Sequence, residues 1–284
     1  MPILTDNAQR DVSVVIPSYN RRGLIGQALD SVLNQTHPPM QIIVVDDGST
    51  DDTSSFVAAS YPSVDLIVQN NRGVSAARNT GIVACRGTWV AFLDSDDSWL
   101  PTKLDRQLDI MAENPEHRLC HTEEIWIRNG RRVNQMKKHK KSGGWIFERC
   151  LALCCISPSS ALIRRDVFDD IGMFDESLPA CEDYDFWLRI TAKEPVVFVD
   201  EPLITKYGGH DDQLSRRFEA MDRFRLKSLS KLVKMMDVRQ EYRSMVEDEM
   251  RRRLQILITG ATKRGNQTWK RQFEKELSHL DNPQ

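Results

Sequence analysis

The sequence predicts an α/β fold in which a mostly parallel sheet is flanked by helices. Short apolar segments alternate with segments of helical periodicity over about the first 100 residues. Two of the apolar segments end abruptly in acidic residues. This is the pattern of strands buried on both faces, because charged groups must then lie beyond the strand end. Strands that alternate with helices at this spacing are joined by right-handed crossovers and run in one direction.

The first half of the chain supplies four strands and three helices to this arrangement. Pro17 ends the first apolar segment, and Ile25, Leu29 and Val32 recur after it at helical spacing. The predicted order is strand 12–16, helix 23–35, strand 41–45, helix 52–60, strand 64–68, helix 73–84 and strand 89–93. The carboxyl ends of these strands meet at one edge, where open α/β sheets bind ligands.

The second half of the chain is predicted to add a hairpin, short strands and helices. Asn129 and Gly130 separate two extended segments and favour a hairpin turn. The other predicted elements are a helix at 104–111, strands at 161–163, 196–199 and 203–205, a largely buried helix at 182–192, and helices at about 219–238, 241–258 and 268–280. The charged run 137–141 is expected to be a solvated loop, or alternatively a lid over phosphates.

Composition and charge are those of an ordinary soluble protein with an asymmetric charge distribution. Of the 284 residues, 40% are hydrophobic and 28% charged. The charge balance is +7 from Arg216 onward and −9 before it. The acidic body argues against nucleic acid as its ligand. The basic tail is free to contact an anionic membrane surface, but solvated helix faces are the favoured interpretation of its charge.

The chain is expected to be cytoplasmic. No apolar run approaches the roughly 18 residues that span a bilayer, and residues 1–10 are polar. The 6 cysteines lack the paired spacing of a zinc site. Cys154 and Cys155 lie in an apolar run and are expected to be buried thiols.

Polar residues follow three of the predicted strands and predict a phosphate-binding metal site. An aromatic ring follows the first strand, at residues 17–20. Hydrogen-bond acceptors follow the second strand, at 46–47, and closely spaced carboxylates follow the fourth, at 94–96. Carboxylates this close repel each other unless a hard cation such as Mg²⁺ or Mn²⁺ lies between them. A plain acidic turn before a helix, with Ser98 and Pro101 at the helix start, is the structural alternative. Glycine-rich phosphate loops are absent from the sequence, which favours neutralisation of phosphates by a cation.

These segments together resemble the family 2 glycosyltransferases, which are inverting enzymes with the glycosyltransferase A (GT-A) fold. The matching segments are VSVVIPSYN at 12–20, VVDDGSTD at 44–51, NRGVSAARNTG at 71–81 and FLDSDD at 92–97. The resemblance implies a nucleotide-sugar donor, usually linked to uridine diphosphate (UDP), and a divalent cation, Mn²⁺ or Mg²⁺. The donor-binding residues that it implies are Pro17, Tyr19, Asp46, Asn71, Arg78, Asp94, Ser95 and Asp96.

The resemblance also assigns the metal ligands and the general base. Asp96 is the first candidate for direct metal contact, with Asp94 beside it and His210 after two glycines as a further ligand. Glu182 and Asp183 begin the buried helix, where the helix dipole favours anions, so that capping is the structural alternative. The family has its Glu-Asp pair at this place, which implies that Asp183 is the base and that Glu182 supports it. For Arg78 the sequence leaves three roles open: pairing with diphosphate, bracing the carboxylates, or an ordinary surface position.

A division of labour along the chain follows from the resemblance. Residues 1–115 are expected to bind the donor and residues 116–215 to bind the acceptor and supply the base. Residues 216–284 form a helical extension that packs on the core, forms a homodimer or contacts a membrane. The acceptor is a glycan, a lipid-linked group or a protein. Two rivals remain: a non-catalytic nucleotide-sugar-binding protein, and a sugar nucleotidyltransferase, for which residues 17–23 lack the glycine- and lysine-rich phosphate loop.

Overall fold

The computed structural model describes residues 10–209, 218–235 and 240–282 and shows a mixed, mostly parallel sheet flanked by helices. The strands, numbered along the chain, are β1 (Val12–Ser18), β2 (Gln41–Asp46), β3 (Asp65–Val68), β4 (Trp89–Phe92), β5 (Ser98–Trp99), β6 (Leu119–Arg128), β7 (Arg131–Val133), β8 (Leu162–Arg164) and β9 (Val197–Gly208). They lie in the order β3-β2-β1-β4-β8-β6-β9-β5, with β7 paired to the outer part of β6. Four parallel strands at one end carry the predicted donor segments. β8 is antiparallel to both neighbours, and β6 and β9 are parallel to each other. The predicted α/β fold class is therefore confirmed.

The elements of the first half lie close to their predicted positions. They are β1 (Val12–Ser18), α1 (Ile25–Leu33), β2 (Gln41–Asp46), α2 (Thr53–Ser60), β3 (Asp65–Val68), α3 (Val74–Ala84), β4 (Trp89–Phe92), β5 (Ser98–Trp99) and α4 (Lys103–Glu113). The prediction that Pro17 ends β1 is wrong, since Pro17 and Ser18 still pair with β2. Pairing with β4 stops before this point, and the backbone nitrogen of Pro17 points to that side. The missing N–H of the proline therefore leaves no ladder bond unmade.

The second half adds β6 (Leu119–Arg128), β7 (Arg131–Val133), α5 (Phe147–Ala152), β8 (Leu162–Arg164), α6 (Val167–Asp170), α7 (Glu182–Thr191) and β9 (Val197–Gly208). The β6–β7 hairpin is confirmed, and Asn129 and Gly130 have φ of 50° and 71°, as a tight hairpin turn requires. The two predicted strands 196–199 and 203–205 are instead one strand, β9. The pairing register shifts opposite residues 122–124, and the resulting bulge accommodates Asp200 and Glu201, the polar residues before Pro202.

The sheet is buried on both faces, which explains its uninterrupted apolar strands. Val12, Val14 and Ile16 of β1 belong to one core cluster, and Val15 belongs to the other. All seven residues of β1 are buried. A strand covered on both sides gains from apolar residues at every position, so no alternation remains in the sequence.

Three helices follow the sheet: α8 (Asp222–Lys234), α9 (Gln240–Lys263) and α10 (Gln267–Asp281). Tyr242 of α9 stacks on Phe147 of α5, with 4.2 Å between ring centroids. Arg253 is buried, forms an ion pair with Asp222, and donates a hydrogen bond of 2.8 Å to the carbonyl of Ala152. The helical extension therefore packs on the core, which was the first of the three predicted roles. Within the described ranges, none of the helices combines the length and apolarity needed to cross a bilayer.

Lys103 is a buried cation of the core and gives a prediction about pH. Its ammonium lies 4.0 Å above the ring of Trp99 and donates a hydrogen bond of 2.7 Å to Gln107. Burial lowers the pKa of Lys103 from 10.5 to about 7. Between these values the unfolded chain binds more protons than the folded one, so this lysine's contribution to stability rises with pH and its penalty is largest below pH 7.

Replacing Lys103 by methionine is expected to remove that pH dependence. The unfolding free energy of Lys103→Met minus that of wild type should fall by several kcal/mol between pH 6 and pH 10, because the wild-type penalty for burying a charged lysine disappears as pH rises. Urea unfolding at both pH values measures it. Exposed Lys263→Met serves as the control and should show a nearly constant difference. If this difference in unfolding free energy is the same at pH 6 and pH 10, the lowered pKa of Lys103 is contradicted.

Candidate active site

The three polar segments that follow the predicted strands do meet at one edge of the sheet. β2, β1 and β4 are adjacent and parallel, and Ser18 pairs with Asp46 where both strands end. β6 and β9 run in the same direction as these strands, so their carboxyl ends reach the same edge. The edge therefore gathers residues from both halves of the chain.

Two aspartates fix the loops on the predicted donor side. Asp46 is fully buried, accepts a hydrogen bond of 2.8 Å from the backbone N–H of Ser49, and also accepts one from the hydroxyl of Ser54. Asp47 accepts hydrogen bonds from the N–H groups of Arg72 (3.0 Å) and Gly73 (2.7 Å). These bonds hold the segments beside β1 and before α3, so the carboxylates shape the walls of the site.

The remaining donor-side residues lie around this edge with different exposures. The ring of Tyr19 is 40% exposed, as a ring that stacks on a ligand would be. Pro17 and Ser95 are buried, and Asn71 lies exposed in the loop before α3. His210, the third predicted metal ligand, lies outside the described residues, as do Asp211 and Asp212.

Arg78 is the central link of the site. Its guanidinium donates hydrogen bonds of 2.8 Å to Asp94 and 2.6 Å to Glu182. Burial opposes its charge, but the two carboxylates outweigh this and raise the pKa of Arg78. Of the three roles left open, an ordinary surface position is therefore wrong, because the side chain is 4% exposed. In this structure Arg78 braces the carboxylates and joins segments that lie 104 residues apart.

The acidic segment after β4 places the carboxylates of Asp94, Asp96 and Asp97 close enough together to repel one another. Asp97 is buried and accepts hydrogen bonds of 2.6 Å from the hydroxyl of Ser159 and 3.2 Å from the N–H of Tyr207. Burial raises the pKa of Asp97 to about 8; Lys206 acts against this rise, and Asp94 and Asp96 add to it. Burial and the charge of Asp94 also raise the pKa of Asp96. Mutual repulsion of this kind is relieved by a bound cation.

The residues present fit a divalent cation that shares its ligands with a substrate. Within the part of the chain that the structure describes, no three His, Cys, Asp or Glu side chains converge as a closed metal site. Mg²⁺ typically takes one or two carboxylates and completes its shell with phosphates and water. Asp94 and Asp96 match that pattern, since they are close together and Asp94 keeps 27% of its side chain exposed.

Lys206 is a functional candidate that sequence reasoning missed. It lies near the end of β9, and its ammonium donates a hydrogen bond of 2.8 Å to the hydroxyl of Ser157. Burial opposes its charge, yet Asp97, Glu124, Asp94 and Asp183 together raise the pKa of Lys206. A fixed positive charge therefore lies among the carboxylates of the site. The available signal was a single lysine directly after the short predicted strand 203–205.

Glu182 and Asp183 begin α7 and face different partners. Glu182 is buried against Arg78, so its role is an ion pair rather than a helix cap. Asp183 is partly buried; one oxygen accepts a 2.7 Å hydrogen bond from the N–H of Tyr184, and the other accepts one of 3.2 Å from the thiol of Cys154. Through Arg78 the pair is joined to Asp94, so that the two acidic segments form one cluster. Further along α7, Asp185 and Arg189 form an ion pair of 2.9 Å at i and i+4 spacing.

Two expectations about the neighbouring loop were wrong. Cys154 and Cys155 are half-buried rather than fully buried. Lys141, the last residue of the charged run, is buried and forms an ion pair of 2.7 Å with Glu124, so only the earlier part of the run is solvated. Glu124 also accepts a 2.7 Å hydrogen bond from the indole N–H of Trp126, so its carboxylate binds both residues.

Comparison with known proteins decides the family. The model of the glycosyl transferase family 2 domain matches residues 13–172, more than half of the chain. The chain belongs to glycosyl transferase family 2. An uncharacterised glycosyltransferase of Rickettsia felis is 32% identical over 200 residues, which are 68% of this chain and 32% of that relative. A putative teichuronic acid biosynthesis glycosyltransferase of Bacillus subtilis, TuaG, is 43% identical over 107 residues, or 36% of this chain and 42% of TuaG.

Solved structures confirm the GT-A fold expected for this family. The crystal structure of S. aureus TarS 1-349 in complex with UDP-GlcNAc has a TM-score of 0.76 and 20% sequence identity, and the match covers 95% of this chain and 81% of that one. The matched region spans about a third of the R. felis relative and less than half of TuaG. The shared family therefore concerns the domain described above.

Proposed function

We propose that this chain is an inverting glycosyltransferase that moves a sugar from a UDP-sugar to an acceptor hydroxyl during glycan or polysaccharide synthesis, with a divalent cation. The observation that carries the proposal is the bridge made by Arg78, which joins Asp94 of the acidic segment to Glu182 beside Asp183. That bridge brings a phosphate-binding segment and a candidate base to one edge of the sheet. The UDP-GlcNAc complex of the TarS neighbour and the polysaccharide role named for TuaG support the donor and the pathway class.

In the proposed mechanism Asp183 takes the proton of the acceptor hydroxyl while that oxygen attacks the anomeric carbon. Attack from the face opposite the diphosphate inverts the configuration at this carbon. Asp94 and Asp96, together with His210, would hold the cation, which supplies positive charge to the departing diphosphate. Arg78 holds the acidic segment next to α7, and Lys206 adds a fixed positive charge nearby. Tyr19, Asp46 and Asn71 form the side on which the nucleoside binds.

The proposal is tested by donor binding and donor turnover measured separately. Calorimetry with UDP, with and without Mn²⁺, is expected to show binding that strengthens with the metal. A screen of nucleotide sugars for metal-dependent hydrolysis is then expected to identify the donor. Binding without hydrolysis or transfer of any sugar would support the non-catalytic alternative. Absence of UDP binding would refute the proposal.

Replacing Asp96 by alanine is expected to abolish the metal-dependent part of UDP binding, because a carboxylate that contacts the cation is lost. Calorimetry with UDP across a Mn²⁺ series measures the effect. Asp200→Ala is the matched control, since Asp200 is an exposed carboxylate on β9 and should leave the Mn²⁺ response unchanged. An Asp96→Ala variant with the wild-type Mn²⁺ response would remove Asp96 from the metal site.

A further inference from the structure

The segment between Glu124 and Glu148 is unusually basic for this protein. It contains seven Lys and Arg residues and no Asp or Glu, within a body that is otherwise acidic. Six of the seven are exposed and form what we call the basic strip: Arg128, Arg131, Arg132, Lys137, Lys138 and Lys140. The seventh, Lys141, is the one neutralised by Glu124. Within the described residues, no carboxylate forms an ion pair with any of the six.

The basic strip is held in a defined place at the edge of the sheet that bears the site. The β6–β7 hairpin extends from the carboxyl end of β6, which runs parallel to the donor-side strands. After the hairpin, Gln135 donates hydrogen bonds of 3.0 Å to the carboxylate of Glu123 and 3.1 Å to the carbonyl of Glu124, which returns the chain to β6. Arg149 binds the carbonyl of Lys140 and, at 2.9 Å, the hydroxyl of Ser142. The charges are thus presented from a fixed backbone.

The inner end of the basic strip is linked to the candidate base through Cys154. Lys138 and His139 line a cavity of about 30 Å³ together with Trp126 and Cys154. The thiol of Cys154 lies 3.2 Å from the carboxylate of Asp183. The ring of His139 packs against that of Trp126, with 5.3 Å between centroids. The half-buried indole of Trp126, which lines the same cavity as Cys154, offers an apolar face on which a sugar ring can pack.

We propose that the basic strip is the acceptor subsite and that the acceptor is a polyanionic glycan, with phosphate or carboxylate groups along its chain. Unpaired like charges repel each other and raise the local positive potential, which attracts an anionic chain. The charges are spread over the hairpin and the following turn, as suits a polymer rather than a single small anion. Lys138 of the strip lines a cavity together with Cys154, the residue that contacts Asp183, and this favours a glycan over a bilayer, because the acceptor hydroxyl must arrive at that base. This inference rests on the proposed function.

The test compares a strip variant with a tail variant of equal charge loss. Lys137, Lys138 and Lys140 are replaced together by glutamine; in the control, exposed Lys263, Arg271 and Lys275 of α9 and α10 are replaced by glutamine. The probes are polygalacturonate, which carries carboxylates, polyglycerol phosphate, which carries phosphates, and neutral dextran. Fluorescence anisotropy at two salt concentrations measures binding, and thermal melting confirms that each variant folds.

Wild type and the tail variant are expected to bind one or both polyanions, more weakly at high salt, and not dextran. The strip variant should bind them about tenfold more weakly while UDP affinity stays unchanged. The bound polyanion identifies the anionic group. Equal polyanion affinity of strip variant and wild type overturns the proposal, as does strip-dependent binding seen only with phosphatidylglycerol vesicles. Loss of UDP binding by wild type would instead refute the proposed function, so the two failures are distinguishable.

Discussion

Replacing Asp183 by asparagine is expected to lower the rate of sugar transfer by about 10²–10⁴-fold, the usual contribution of a general base. Asparagine has nearly the same shape: its Oδ1 can accept the hydrogen bond from the N–H of Tyr184, and its Nδ2 can donate to the sulfur of Cys154, so the loop and α7 should keep their positions. What it cannot do is accept the proton of the attacking hydroxyl. UDP binding with Mn²⁺ should therefore remain near the wild-type value while turnover is lost.

The measurement needs turnover and binding from the same preparation. Once the screen has named the donor, steady-state transfer or hydrolysis gives turnover, and calorimetry with UDP gives binding. Asp169→Asn is a suitable control, because Asp169 is an exposed carboxylate on α6. Turnover by Asp183→Asn at the wild-type rate would exclude Asp183 as the base. Joint loss of turnover and UDP binding would indicate a role in building the donor site instead.

The sequence predicted correctly those features that depend on neighbouring residues in the chain, such as strand ends and tight turns. Buried parallel strands must be apolar along their whole length, and their polar residues lie beyond the strand end. The sequence alone therefore places residues 46–47 and 94–96 at one edge of the sheet. The hairpin at Asn129 and Gly130 was predictable for a similar reason, since few residues accept positive φ.

The predictions from sequence were wrong or incomplete where contacts between distant parts of the chain determine the structure. Asp200 and Glu201 before Pro202 look like a turn, yet pairing with β6 keeps the strand continuous through a bulge. Glu182 at a helix start looks like a dipole partner, but its partner is Arg78, 104 residues away. Lys206 has no local feature that reveals the carboxylates around it, because they come from three separate segments.

Arg78 is expected to be the residue of the site whose loss costs the fold most. Replacing it by methionine leaves Glu182 buried and Asp94 partly buried without their cation, and breaking a buried pair in this way typically costs about 3–5 kcal/mol. Urea unfolding at pH 7 measures the loss. Arg86→Met is the control, because exposed Arg86 pairs with exposed Asp65 at 3.6 Å and such surface pairs contribute about 0–1 kcal/mol.

The pH dependence of the Arg78→Met defect separates lost charge pairing from lost packing. Burial already raises the pKa of Glu182 and Arg78 lowers it, so removing the arginine raises it further. The folded variant then binds more protons than the unfolded chain, and its stability recovers as pH falls toward the raised pKa. The gap to wild type should therefore narrow between pH 7 and pH 5, whereas a packing defect would leave it constant.

Replacing both partners isolates the charge left behind by the arginine. Arg78→Met combined with Glu182→Gln removes one stranded carboxylate and should recover part of the stability lost in the single variant. The transfer activity should not recover, because Asp94 remains without its brace and α7 is no longer joined to the acidic segment. A double variant less stable than Arg78→Met alone would show that Glu182 stabilises the fold through contacts other than this ion pair.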